Sequence, residues 1–359
     1  MADWLILLIE NIVKILMVLV PLLVMAALLT WDERKQSALA QDRLGPNRAN
    51  IGPFTLWGLI HPIADTLKMF FKEDIVPARA DKLLHALAPV LALSPSLFML
   101  AVIPFGPVVR LGGRDIPLQI SDLNAGLLII LAISSLAVYG IALAGWSSNN
   151  KFALLGALRA AAQMVSYEIT IGLSLIGLIM IFGTLQTSTI VLKQTESLWG
   201  ILPSWGIFVQ PVGFVLYFVA ALAELKRAPF DIPEGESEIV AGFWTEYSGM
   251  RWGMFYVGEF VEISVLSGIA AVFFLGGYHV PGIDPGWALV GHAGLAGWIW
   301  ALIMMVGFGV KIIVCNIVLQ QIRWTFPRFR YDQVMTLGWK ILLPLAIANI
   351  FVTGIVILL

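Results

Sequence analysis

Residues 4–30 read WLILLIENIVKILMVLVPLLVMAALLT, an apolar run interrupted by two charges, Glu10 and Lys14. Crossing the roughly 30 Å hydrocarbon layer of a bilayer takes about 20 mostly apolar residues in a helix. The run exceeds that length. Its two charges stand four residues apart, where a carboxylate and an ammonium pair on one helix face. A secretory leader would carry Lys or Arg before a shorter apolar stretch. Here Asp3 and Glu10 take that place, so the segment is read as a retained first membrane helix. Asp32-Glu33-Arg34-Lys35 follows at once and marks the exit from the apolar phase.

The rest of the chain repeats the pattern. Seven further runs, at 83–103, 123–145, 165–183, 207–225, 252–277, 296–319 and 338–359, reach spanning length, which predicts eight transmembrane helices. Of the 359 residues 59% are hydrophobic and 13% charged, against about 25% charged in soluble domains. The mean hydropathy is +0.89. The expected fold class is therefore an all-α integral membrane protein, with residues 1–359 as a single membrane domain. No internal repeat and no matched pair of broken helices is visible, which speaks against an inverted-repeat transporter.

Loop charge predicts orientation. The loops at 31–82, 146–164, 226–251 and 320–340 hold 17 of the 22 Lys and Arg residues, while the opposite set holds three: Arg110, Arg114 and Lys193. The positive-inside rule makes the first set cytoplasmic and both termini periplasmic. Trp199, Trp205, Trp298, Trp324 and Trp339 fall near span ends, as an aromatic belt would. Within the first loop, Phe54, Trp57, Ile60, Ile63, Ala64, Leu67 and Phe70 recur at helical spacing, with His61, Asp65, Lys68 and Lys72 on another face. The spacing predicts an amphipathic surface helix over 54–72.

Four constellations of polar residues stand out. Asp32 to Lys35, followed by Gln41, Arg43 and Gly45-Pro46-Asn47, offers guanidinium donors beside a turn, or else a basic stop-transfer flank. Arg159, Gln163, Ser166, Tyr167 and Glu168 open the fourth span. A carboxylate just inside an apolar run tends to face the bundle interior and to be functional; an interfacial Glu paired with Arg159 is the alternative. Glu224, Lys226 and Arg227 close the fifth span, and Pro229-Phe230-Asp231-Ile232-Pro233-Glu234-Gly235-Glu236-Ser237-Glu238 follows, with Glu246, Glu259 and Glu262 beyond. Four carboxylates in eight residues raise one another's pKa when desolvated, so some exchange protons near neutral pH. A solvated acidic loop is the bland reading, and the apolar run at 239–244 argues against it. Arg323, Arg328, Arg330 and Asp332 precede the last span, where positive-inside anchoring accounts for them. Lys311 stands alone inside the seventh span and needs a partner or a shifted pKa.

Several chemistries are excluded. One cysteine, Cys315, makes neither a disulfide framework nor a cysteine-ligated iron–sulfur or zinc site. There is no Gly-x-Gly-x-x-Gly and no Walker loop. Of the four histidines (His61, His85, His279, His292) no pair faces across mid-membrane as haem ligands would. The net charge of −1 argues against a nucleic-acid partner. Electrons for any redox role come from another subunit.

Together these segments resemble one family, the H-type membrane subunit (subunit 1) of NADH:quinone oxidoreductase, respiratory complex I. The resemblance covers nearly the whole chain. It is carried by Glu33-Arg34-Lys35, Arg43, Gly45-Pro46-Asn47 and Ala64-Asp65; by Arg159, Gln163 and Ser166-Tyr167-Glu168; by the nearly unbroken stretch from Glu224 to Tyr247; and by Arg323, Pro327-Arg328, Arg330 and Asp332-Gln333. It departs at His61, where the family commonly has Gln before the proline, and at Ala49-Asn50. The resemblance implies a subunit of a proton-pumping translocase in a bacterial inner membrane. It implies that Glu33, Arg34, Arg43, Asp65, Phe230, Asp231, Glu234, Glu236 and Glu238 lie at a quinone chamber or its entrance. Glu168, Glu224 and Glu259 would relay protons, and Arg43, Arg328, Arg330 and Asp332 would meet the peripheral arm. Quinone would be the substrate, with iron–sulfur clusters and FMN in partner subunits and no metal or cofactor held by this chain. Other complex I subunits, peripheral-arm and small membrane ones, and lipid are the implied partners. A hydrogenase-type or ferredoxin-driven complex with an equivalent membrane anchor is the alternative.

Overall fold

The computed structural model describes residues 2–111, 114–198, 202–283 and 295–359. Trp199 and His292 lie outside them, as do the side chains of Glu236 and Ser237.

Helix α1, Ala2–Ala40, contains Pro21 and runs ten residues past the apolar stretch. Residues 31–40 continue the helix because they pair within it: Gln36 Nε2 donates to Asp32 Oδ2 at 2.8 Å, one turn away. The single surface helix expected over 54–72 is shorter. A 3₁₀ turn, Leu56–Gly58, precedes helix α2, His61–Phe71, and Pro62 occupies the first turn of α2. Trp57 (φ 55°) and Gly58 (φ 88°) break the periodicity between them.

Helix α3, Lys82–Met99, begins at Asp81, whose carboxylate accepts from the Leu83 and Leu84 amides. A hairpin of β1, Val108–Leu111, and β2, Arg114–Pro117, follows. Helices α4, Gly126–Ser134, and α5, Leu136–Ser147, form one rod. Helix α6, Lys151–Phe182, is capped by Asn150 and ends at left-handed Gly183. It starts well before the apolar run, so Arg159, Gln163 and Glu168 share one helix.

Short elements follow: α7, Thr187–Lys193, strands β3, Ser197–Leu198, and β4, Leu202–Pro203, and α8, Gly206–Val209. Helix α9, Pro211–Glu224, starts after a break at Gln210 (φ −135°, ψ 62°), where Pro211 has no amide hydrogen to continue α8. The short α10, Glu236–Ile239, lies in the acidic loop. Helices α11, Gly249–Phe274, and α12, Leu295–Thr325, precede α13, Tyr331–Thr336, which passes through a π turn, Leu337–Leu342, into α14, Leu343–Leu358.

The chain is mostly helical. Seven helical rods among the described residues are long and apolar enough to cross a membrane; α9, with 14 residues, is classed as a shorter apolar helix. At 1.5 Å per residue α9 measures only about 21 Å. Burial sorts the rods. In α11 89% of the most apolar window is buried, against 22% in α1 and 17% in the last rod, so α11 is the centre. Helices α1, α3, α9 and α12 pack against it. Helices α3 and α5 approach closely because Gly140 has no side chain. A Cβ there would lie 2.4 Å from the Ala92 amide nitrogen.

The charged loops gather at one end of the bundle. Glu33 meets Arg227 and Arg323 there, Arg159 meets Glu238, and Ser248 Oγ donates to the Glu73 carbonyl. The other end is closed differently. Lys311 Nζ donates to the carbonyls of Leu275, Gly277 and His279 at 2.6, 2.8 and 2.6 Å, and lies 4.5 Å from the Trp205 ring centre. The lone ammonium of the seventh span thus caps the end of α11. Trp205 sits beneath it and donates to His279 Nδ1 at 3.2 Å.

Candidate functional site

The site starts on the last turns of α1. Glu33 is nearly enclosed, and a buried carboxylate needs a charged partner. It has two: Arg227 Nη1 reaches Oε2 and Arg323 Nη1 reaches Oε1, both at 2.5 Å. Arg227 follows α9, and Arg323 closes α12. The second Arg227 nitrogen lies 3.6 Å from Glu259 Oε2, and its guanidinium rests 4.3 Å from the centre of the Phe260 ring. One turn along α11, Glu262 accepts from Lys226 Nζ at 3.2 Å.

Beside Glu33, Arg34 points toward α2 and pairs with Asp65 at 2.6 Å. Two cavities flank it. One, of about 350 Å³, lies between α2 and the start of α11, and Tyr247, Trp252 and Tyr256 help to line it. The other, of about 400 Å³, is bounded by Glu33, Arg43, Gly45-Pro46-Asn47 and His61.

The acidic loop folds over this cluster. Gln163 Nε2 holds it from α6, donating to the carbonyls of Ala223 at 2.6 Å and Phe230 at 2.9 Å. Gly242 lets the loop return: at φ 59° it lies so close that a Cβ would sit 1.8 Å from the Pro233 carbonyl oxygen. Arg328 covers Gly235 from the α12–α13 connection. Phe230 is buried and packs on Tyr167 and Phe329, centroids 5.7 and 5.4 Å away.

Burial pushes the Asp231 carboxyl up to about 6, held back by Arg328 and Arg323. Glu234 is pushed well above the carboxylate range, first by burial and then by Glu259 and Asp231; its carboxyl hydrogen-bonds that of Glu259. Glu234 is thereby driven to hold a proton.

Farther into the bundle, Glu224 is buried, with Glu262, Glu168 and Lys226 as the charges acting on it. Glu168 accepts from Ser134 Oγ at 3.3 Å. The arrangement is a chain of alternating charge: Asp65, Arg34, Glu33, Arg227 and Glu259, then Lys226 with Glu262, then Glu224. Each acid in it borders a cation or another acid, so a change of protonation at one member alters the electrostatic balance of the next.

The expected residues do not all converge. Glu238 lies exposed and binds Arg159 at 2.7 Å. Arg43 borders the second cavity but is exposed and hydrogen-bonds Gln41, not an acid of the cluster. Arg330 and Asp332 pair with each other at 2.9 Å on the surface. Glu236 falls on α10, and its side chain lies outside the described residues. Sequence reasoning assigned no role to Arg227, Lys226, Glu262 or Arg323. The signal was there: Glu259 and Glu262 stand three apart inside a span and require cations, and Lys226-Arg227 adjoin Glu224. Arg323 was hidden among residues that anchoring explained.

A family model for NADH dehydrogenase matches residues 13–354. Named relatives agree with it. The chain is 48% identical to the first H-type NADH-quinone oxidoreductase subunit of Geobacter metallireducens, covering 97% of each chain. It is 49% identical to the second H-type subunit of Geobacter sulfurreducens, over 95% of this chain and 94% of the relative. It is 45% identical to the H-type subunit of Flavobacterium psychrophilum over 98% of both.

Proposed function

The chain belongs to the NADH dehydrogenase family, and on that premise we propose that it is the membrane subunit of a proton-pumping NADH:quinone oxidoreductase that helps to form the quinone chamber and couples quinone reduction to proton movement. The observation that carries the reading is the pair of ion-pair groups built on adjacent residues of α1: Arg34 with Asp65, between two cavities, and Glu33 with Arg227, which reaches on to Glu259. A quinone accepting two electrons also takes up two protons. Electrons come from iron–sulfur clusters and FMN of partner subunits, and this chain supplies the shaped cavity and the acids.

In this reading Arg34, Asp65 and Glu33 stand at the entrance, with Arg43 beside it. Asp231, Glu234, Glu236 and Glu238 belong to the loop over the chamber, and Phe230 anchors that loop. Withdrawal of a proton near Glu234 leaves Glu259 and Glu234 both charged beside Arg227. The imbalance is relieved by proton movement from Glu224 and Glu168 toward that pair. Arg328, Arg330 and Asp332, with Arg43, face the peripheral arm. Both the names and the matched lengths of the relatives favour this assembly over a hydrogenase-type anchor.

The same reading gives eight crossings, the short α8–α9 pair being the fifth, with both termini periplasmic and the charged end cytoplasmic in a bacterial inner membrane. The gathering of all four basic loops at one end supports it. Helix α2 lies at the membrane surface, with Ile63, Leu67 and Phe70 exposed to lipid or a partner.

The test is Glu259→Gln in the assembled complex in inverted vesicles. Quinone reduction and proton pumping are expected to fall at least about tenfold, which corresponds to ~1.4 kcal/mol of lost stabilisation, while NADH oxidation by an artificial acceptor at the peripheral arm stays intact. Normal quinone reduction and normal pumping would overturn the reading.

A further inference from the structure

His85, near the start of α3, is fully buried and has no part in the relay. Its ring stacks on Tyr247, with centroids 4.0 Å apart and planes 7° from parallel. Its Nδ1 lies 3.2 Å from Arg251 Nη1. A guanidinium only donates, so Nδ1 carries a lone pair and the imidazole is neutral. The Nε of the same arginine reaches Asp74 Oδ2 at 3.0 Å. Asp74 belongs to the segment leaving α2. Two more bonds bind that segment to the start of α11: Ser248 Oγ donates to the Glu73 carbonyl at 2.9 Å and accepts from the Ile75 amide at 2.9 Å. One wall of the cavity beside Arg34 is made by Lys68 and Met69 of α2 and by Lys72 just after it, and the facing wall by Tyr247, Ser248 and Trp252. The two walls are therefore joined through Arg251.

We propose that neutral His85 is a positioning residue that aims Arg251 at Asp74 and so latches α2 over the cavity, and that protonation of His85 releases the latch. This rests on the proposed function for the meaning of the cavity, though the latch itself does not. The reason is electrostatic. His85 with two N–H groups has no lone pair for Arg251 and sets a second positive charge 3.2 Å from it. The groups facing His85 are Arg251 from α11, Asp74 from the segment after α2, and Glu246 and Tyr247 from the loop before α11; α5 contributes the hydroxyl of Ser147, 3.4 Å from the Tyr247 hydroxyl. The strongest charge acting on His85 is the Arg251 cation; a backbone hydrogen bond at Glu246 and the charges of Asp74 and Glu246 oppose it more weakly. A proton on His85 therefore turns the Arg251 contact repulsive.

The experiment uses the whole complex in inverted membrane vesicles with a short-tailed ubiquinone, between about pH 5 and pH 8, a window that reaches below the ordinary histidine range because burial and Arg251 both oppose the proton. The wild type is expected to show a KM that rises roughly fivefold as the pH falls, the size of one net hydrogen bond, with kcat little changed. His85→Asn keeps an oxygen acceptor near the place of Nδ1 but cannot be protonated, so its KM is flat and close to the wild-type value at high pH. His85→Leu removes the acceptor, and its KM is raised at every pH. Amide hydrogen exchange across residues 61–75 follows the same order without any turnover: fast in His85→Leu, slow in His85→Asn, and pH-dependent beyond the intrinsic rate only in the wild type. An exchange pattern identical in all three proteins overturns the latch, as does a His85→Leu complex with wild-type KM. Should even the wild type fail to reduce quinone, the proposed function fails, and the exchange measurement still decides the latch.

Discussion

Glu33 is the residue on which the charged end turns, because two guanidiniums from distant parts of the chain share its two oxygens. Each bond is charge-assisted, and removing the carboxylate leaves two partly desolvated cations facing each other. Asp231 shows the opposite condition. It is largely buried, its Oδ1 has no hydrogen-bond partner, and burial pushes its carboxyl up to about 6. A raised acid favours folding in its protonated form. Its contribution is complete below about pH 4 and is lost as the pH rises through about 6. Asp231→Asn is therefore expected to make the complex more resistant to thermal inactivation at pH 7 than the wild type, by an amount on the order of 2 kcal/mol, and to make no difference near pH 4. Inactivation rates of the detergent-solubilised complex across that range check it; an asparagine variant less stable at pH 7 would refute the sign. Asp231, Glu168 and Glu224 were legible as isolated residues, because a carboxylate in an apolar context is costly wherever it points. Arg323 was not, since a cation at a span end has an ordinary explanation.

Elements moved where side chains rather than hydropathy set their ends. Helix α6 begins at Asn150 because the cap satisfies an amide there, and the apolar run starts a dozen or so residues later. Helix α2 begins at His61, with its proline in the first turn, and not at Phe54, since Trp57 and Gly58 leave the helical region. Packing between elements makes a sharper prediction. Gly140→Ala puts a methyl 2.4 Å from the Ala92 nitrogen on α3, which that backbone cannot yield. It is expected to cost about 1–3 kcal/mol and to lower the amount of chain retained in the membrane. On α6, a Cβ on Gly172 would find only Leu131 Cδ1, at 3.7 Å. Gly172→Ala is then neutral or mildly stabilising, as an alanine for a glycine inside a helix should be. Immunoblots of membrane fractions compare the two; equal loss in both would show that close approach of α3 and α5 is not the cause.

For the whole molecule, the question with the widest consequence is how many times the chain crosses. Seven rods among the described residues are long and apolar enough to cross, and the α8–α9 pair reaches the charged end by a short, proline-initiated path. An even number of crossings places both termini on one side. In a cysteine-free background (Cys315 replaced), Trp4→Cys and Leu359→Cys are expected to react with a membrane-impermeant maleimide from the periplasm, and neither from the cytoplasm. Labelling from opposite sides would mean seven crossings. The membrane class, the family and the end of the bundle that gathers charge were all determined by the sequence itself, because apolar run length and Lys and Arg counts are local quantities that add along a chain. The pairing of those charges was decided only by tertiary structure. Glu33 meets Arg227 across 194 residues and Arg323 across 290, and no spacing rule reaches that far. The same holds for His85 and Arg251, 166 residues apart. Which cation neutralises which buried acid depends on how the helices cross around α11, and that is set by the fit of many side chains at once.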